Sequence, residues 1–152
     1  MNNTKLEFLL KEFPIKLKQL DPSAKGVWGK MNVQQMIEHM TDSVREANGK
    51  IPRTIVTNPE RLPAMKDFLL SEKEFKPNTK NVLLSEEPEP IKHSSIQAAI
   101  AEFEKEMEDF QKHYKTFPDA IITNAFFGDL NYEEWIQLLH KHAVHHLKQF
   151  TS

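Results

Sequence analysis

At 152 residues, with a formal net charge of −2, the chain is long enough for one hydrophobic core and has no overall basic field to draw it onto nucleic acid or an anionic membrane. Its 39% hydrophobic content is that of an ordinary globular protein, so 1–152 reads as a single domain. There is no cysteine, which excludes disulfides, thiolate ligands and a sulfur nucleophile of its own, and leaves imidazole, carboxylate and water for any transition metal.

In the first segment Leu6, Leu9, Leu10, Phe13, Leu17 and Leu20 recur at three- and four-residue steps and predict an amphipathic helix. Pro14 lies inside it, lacks an N–H and crowds the Leu10 carbonyl, so a kink or break is expected there. Asp21-Pro22 ends the run. A second helix opens at Asn32, with Gln35 in the capping-box position, and carries the stripe Val33, Met36, Ile37, Met40, Val44 and Ala47. Asn48-Gly49 supplies its left-handed stop.

A long crossover, 50–92, follows and holds six of the nine prolines. Within it Pro59 to Ser71 can form a short helix with Leu62, Met65, Phe68 and Leu69 on one side. The remainder, with its Glu86-Glu87-Pro88-Glu89-Pro90 run, reads as an extended surface loop. The third long helix shows Ile96, Ile100, Phe103, Met107, Phe110 and Tyr114 in a/d alternation, capped by Ser94 or Ser95, with its Glu- and Lys-rich faces expected in solvent. The fourth runs from about Tyr132 to Phe150, with Asn131 as cap. No strand pair with period-two alternation is seen. The expected fold is all-α: a four-helix bundle with a long crossover between helices 2 and 3 carrying a short extra helix.

The histidines carry the chemical information. In the fourth helix the face defined by Trp135, Leu138 and Leu139 continues onto His142 and His146, one turn apart, where leucines would otherwise stand. Two such imidazoles can converge on one ion, and buried rings need partners for their nitrogens. The alternative is that histidines near a helix C-terminus complement its dipole or sit in a solvated tail. His140 and His145 are expected to project elsewhere, toward solvent or a partner chain. His39 lies on the flank of the second helix's stripe, a position that by itself suits a structural role as well as a ligand.

Several stretches resemble the DinB-like (YfiT-like) metal-binding four-helix superfamily, and more narrowly a subgroup of uncharacterised bacterial proteins within it. They are Trp28-Gly29-Lys30-Met31 leading to Met36-Ile37-Glu38-His39, then Phe126-Phe127-Gly128-Asp129-Leu130 with Glu134-Trp135, and last His142-x-x-His145-His146-x-x-Gln149-Phe150. The resemblance implies a divalent ion, zinc or nickel, held by one His of the second helix and an i, i+4 pair of the fourth. By position these are His39, His142 and His146. It also implies hydrolase or low-molecular-weight-thiol transferase chemistry on a small-molecule substrate, while other relatives have no known activity. This chain has Asn124-Ala125 where the subgroup has His-Pro before the Phe-Gly turn, which puts the activity in question.

Asp42, one turn after His39, is the candidate catalytic residue, as a base or as a group orienting a ligand; its other reading is a solvent-facing carboxylate. Gln149 is a candidate to orient His146. Trp28 and Trp135 stand either at the pocket mouth or in the core, and Phe126-Phe127-Gly128 either as a packing turn or as the pocket rim. A non-catalytic metal- or ligand-binding module, or an oligomeric bundle, is the alternative function. A homodimer through helix faces suits a bundle, although no motif requires it. No stretch approaches the ~20 apolar residues that span a bilayer, and Met1 to Phe13 lack a signal-peptide core, so a cytoplasmic location is expected.

Overall fold

The computed structural model describes residues 3–76 and 88–151. The first apolar stripe forms a continuous helical rod in three stretches: α1 (Asn3–Glu7), a π-helical turn (Phe8–Glu12) and α2 (Phe13–Gln19). Pro14 does not break it. The wider turn just before Pro14, in which the Phe13 N–H donates to the Phe8 carbonyl five residues back, accommodates the ring that would crowd a tighter helix. Leu9, Phe13 and Leu17 stay on one buried face.

The second bundle helix, α3 (Val33–Ala47), has the expected capping box: Asn32 accepts from the Gln35 N–H while Gln35 accepts from the Asn32 N–H. At its far end Tyr114 Oη donates to the Ala47 carbonyl at 2.9 Å, satisfying one of the orphan acceptors of a helix terminus. The third, α5 (Ile96–Thr116), is capped by Ser95, whose Oγ accepts from the Ala98 N–H. The fourth, α6 (Tyr132–Phe150), starts with a second capping box between Asn131 and Glu134.

These four helical rods bury a common core of Phe13, Met36, Ile37, Met40, Ile100, Phe103, Met107, Phe110, Trp135 and Leu139. The fold is the expected all-α bundle, with α3 packed most extensively on α5. One expectation about α5 needs correction, because its charged faces are not all solvated. Glu106 is only 2% exposed and accepts from Asn48, Lys50 and Arg45, and Arg45 also pairs with Glu102 and Asp42. A carboxylate can be buried here because three donor contacts from α3 and its C-terminal turn replace its water.

In the crossover a 3-10 turn (Pro59–Arg61) leads into α4 (Leu62–Leu70), within the span expected for the short helix. Residues 71–76 then run along α6 as a strap. Lys141 Nζ donates to the Ser71 and Lys73 carbonyls, and Lys148 pairs with Glu74 at 2.6 Å. Glu86-Glu87 and the loop expected over 77–87 lie outside the described residues. Beyond them, Gln35 Nε2 donates to the Glu89 carbonyl, and Glu38 accepts from the Lys92 and His93 N–H groups.

One element was not anticipated. β1 (Ile122–Asn124) and β2 (Gly128–Leu130) form an antiparallel hairpin with Ile122 opposite Leu130 and Asn124 opposite Gly128. Strands of three residues are too short to display period two, so local turn chemistry determines the hairpin instead. Asn124 Oδ1 accepts from the N–H groups of both Phe126 and Phe127, and Gly128 takes φ +85°. Trp135 Nε1 donates to the Ile122 carbonyl and ties the hairpin to α6.

The core is dense enough to test directly. Phe103 is fully buried and meets Phe13 edge to face at 5.2 Å. Phe103→Ala is expected to lower unfolding free energy by about 3–5 kcal/mol in urea titrations.

Candidate metal centre

Helices α3 and α6 bring together the three histidines selected from the sequence. His39 stands on α3, and His142 and His146 stand one turn apart on α6. His142 Nε2 lies 3.1 Å from His39 Nε2 and 2.8 Å from His146 Nε2. Among the described residues this is the one group of three or more His, Cys, Asp or Glu side chains whose donor atoms converge as a metal set.

The far side of the His146 ring fixes where its proton sits. Gln149 Nε2 donates to the Trp28 carbonyl at 2.8 Å, so its Oε1 is the atom facing His146 Nδ1, also at 2.8 Å. An amide oxygen can only accept, so His146 carries its proton on Nδ1. Ser43 Oγ lies 3.2 Å from the His39 carbonyl and 3.3 Å from His142 Nδ1; with its single proton on the carbonyl it accepts from His142 Nδ1–H. The proton-free Nε2 of His146 faces His142 Nε2 at 2.8 Å. A cation between them would take up the His146 lone pair, with His142 Nε2 and His39 Nε2 completing the donor set.

The spacing suits such an ion. Metal–imidazole bonds of about 2.0–2.1 Å place tetrahedral ligand atoms about 3.3 Å apart, within roughly half an ångström of the two separations seen. Charge state agrees as well. Burial pushes the pKa of His142 well below its ordinary value and that of His39 below it, with neighbouring imidazoles adding to the shift at His142. Burial, then the proximity of His39, takes His146 down to about 3. All three rings are thus neutral at physiological pH, the form that binds metal.

Around this cluster the remaining candidates fall into place. His145 does not simply project into solvent: it is half-buried, with its ring 5.2 Å from Trp28 and 5.8 Å from Phe75. Helical phase alone missed this, because the walls come from the 26–29 loop and the strap rather than from a bundle helix. His140 meets Phe8 edge to face at 5.0 Å. Phe75 also lies 6.3 Å from the His142 ring, so the crossover passes over the site. Its role there was not legible in a proline-rich loop.

Asp42 is turned to Arg45 at 2.9 Å, with Lys92 at 3.8 Å. It influences His39 only through its field. Trp135 is a core residue, 1% exposed, whereas Trp28 flanks the site beside His145. Phe127 packs 6.3 Å from Phe75 and so joins turn to wall. Asn124 is committed to the hairpin turn.

A protein-family model described as the DinB superfamily matches residues 17–150. No curated protein and no solved structure matches the chain.

The depressed histidine pKa values have a stability consequence with a definite sign. In the unfolded chain a histidine takes up a proton near 6.5, while in the folded protein His146 resists until about 3. Unfolding is therefore favoured progressively as pH falls below 6.5, and this stabilisation of the neutral fold is complete above it. With a chelator present, the urea midpoint is expected to drop between neutral and about pH 5, and to drop less in His146→Leu.

Proposed function

The chain belongs to the DinB superfamily, and on that footing we propose that it holds one divalent ion, zinc or nickel, on the Nε2 atoms of His39, His142 and His146. The observation that carries this reading is the convergence of the three Nε2 atoms at 2.8 and 3.1 Å, with the Gln149 amide oxygen behind His146 Nδ1. All-nitrogen donation from neutral imidazole suits both metals.

Three protein ligands leave further coordination positions, the layout of a catalytic rather than a closed structural site. A bound ion supplies Lewis-acid polarisation of a substrate oxygen or activation of water or an incoming thiol. We assign the protein's activity on this basis to hydrolysis or low-molecular-weight-thiol transfer on a small molecule. The chain's own residues contribute the walls: Trp28, Phe75 and His145 surround the cluster with aromatic rings. Such walls restrict water and strengthen electrostatic effects inside. His39 and His142 are only partly buried, which leaves this side for ligand entry.

A second reading, a binding module without chemistry, draws on a specific observation. The carboxylates whose fields reach His39 and His145 are engaged elsewhere: Asp42 with Arg45, Glu89 with Lys92 and Glu74 with Lys148. None of the three is placed as a free base.

Elemental analysis of untagged protein, purified without chelator, separates these readings. Stoichiometric zinc or nickel is expected in the native protein and its loss in His142→Ala. Metal-dependent turnover of small esters, amides or thiol acceptors that disappears in that variant supports the enzyme, and bound metal without turnover supports the binding module. Absence of metal after reloading at neutral pH overturns both.

A further inference from the structure

The loop that precedes α3 is built around one side chain of α6. The Val27 N–H donates to the Gln149 carbonyl at 2.7 Å, and the Trp28 carbonyl accepts from Gln149 Nε2. Gly29 adopts φ +75°, and a Cβ there would stand 2.8 Å from Gln149 Nε2. A Cβ on Gly26 would stand 3.2 Å from Gln149 Cγ and 2.5 Å from the Trp28 carbonyl oxygen. Both glycines therefore admit the backbone against the amide, and a side chain at Gly29 meets both lack of space and an unfavourable φ. Gln149 itself is 2% exposed.

The geometry points to Gln149 as the positioning residue of the site: the Gly26–Gly29 loop fixes its amide orientation, and the amide fixes the tautomer of His146. The chain of contacts is short and directional. The Trp28 carbonyl demands the amide NH2 and so aims the amide oxygen at His146 Nδ1, which leaves the Nε2 lone pair toward His142 and His39. Reversal of the amide would place a donor against Nδ1 and move the proton to Nε2, where it would oppose a cation. Gly29 thus controls a metal ligand that it does not touch. The metal-affinity consequence rests on the reading of His39, His142 and His146 as ligands, whereas the tautomer does not.

Imidazole nitrogen NMR of the metal-free protein, with chelator competition for zinc, tests this. The wild type is expected to show His146 protonated at Nδ1. Gln149→Met, which keeps length and removes the acceptor, is expected to give mixed tautomers and about 10- to 100-fold weaker zinc binding with unchanged helix content. Gln149→Glu restores the acceptor and is expected to recover the Nδ1–H form. Should Gln149→Met fail to fold, Gly29→Ala, outside the helices, is expected to produce the same tautomer mixing. An Nε2–H His146 in the wild type, or wild-type tautomer and affinity in Gln149→Met or Gly29→Ala, overturns the assignment. A wild type that is Nδ1–H but binds neither zinc nor nickel refutes the metal reading and leaves the positioning role standing.

Discussion

The site depends on hydrogen bonds made on the side of the rings away from the cluster. A neutral imidazole has one proton, and whichever nitrogen keeps it is lost as a donor atom to a cation. Gln149 claims the Nδ1 proton of His146, so its Nε2 lone pair turns inward, and Ser43 Oγ stands in the same place behind His142. Without those anchors the same three rings, in the same places, would be free to hydrogen-bond to one another through Nε2–H. The distinction between a histidine cluster and a ligand set lies in that choice of proton.

Each anchor has a backbone carbonyl behind it, His39 for Ser43 and Trp28 for Gln149. A carbonyl only accepts, so both bonds of the Gln149 relay have one direction, whereas the Ser43 hydroxyl has two acceptors within reach. The relays also differ in strength. The Gln149 contacts are both 2.8 Å, whereas those of Ser43 are 3.2 and 3.3 Å. His146 is accordingly the more rigidly set ring, and it is the most buried of the three.

Much of the bundle and the identities of the three clustered histidines were legible in the sequence, since both follow from periodicity within single helices. The stripes of α3, α5 and α6 determined which faces would meet, and the phase Trp135, Leu139, His142, His146 placed two rings in the core. His39 was ambiguous because a flank residue is defined by its neighbouring helix, and only the resemblance selected it. His145 was misplaced for the same reason: Trp28 and Phe75 come from loops whose paths no helical wheel contains. The hairpin was missed because Asn124 and Gly128 act through turn chemistry over a few residues. Asp42 looked available one turn from His39, but Arg45, three residues on, is the nearer claim on it.

The division of labour between helices also shows what a bound ion would do for the fold. α3 supplies an imidazole and an anchor four residues apart, His39 and Ser43, and α6 supplies His142, His146 and Gln149 at steps of four and three. Spacing within each group is set by helix geometry and requires nothing from the rest of the protein. Only the approach of α3 to α6 is tertiary, and that pair packs less extensively than α3 on α5, whose contact is reinforced by the buried Glu106 network. A cation shared by His39 and the α6 pair would therefore join the bundle across its less extensive helix contact, so its binding free energy would add to the stability of the fold. The same contact carries the partly buried, ligand-accessible side of the cluster, which is where a bundle can least compensate by apolar packing.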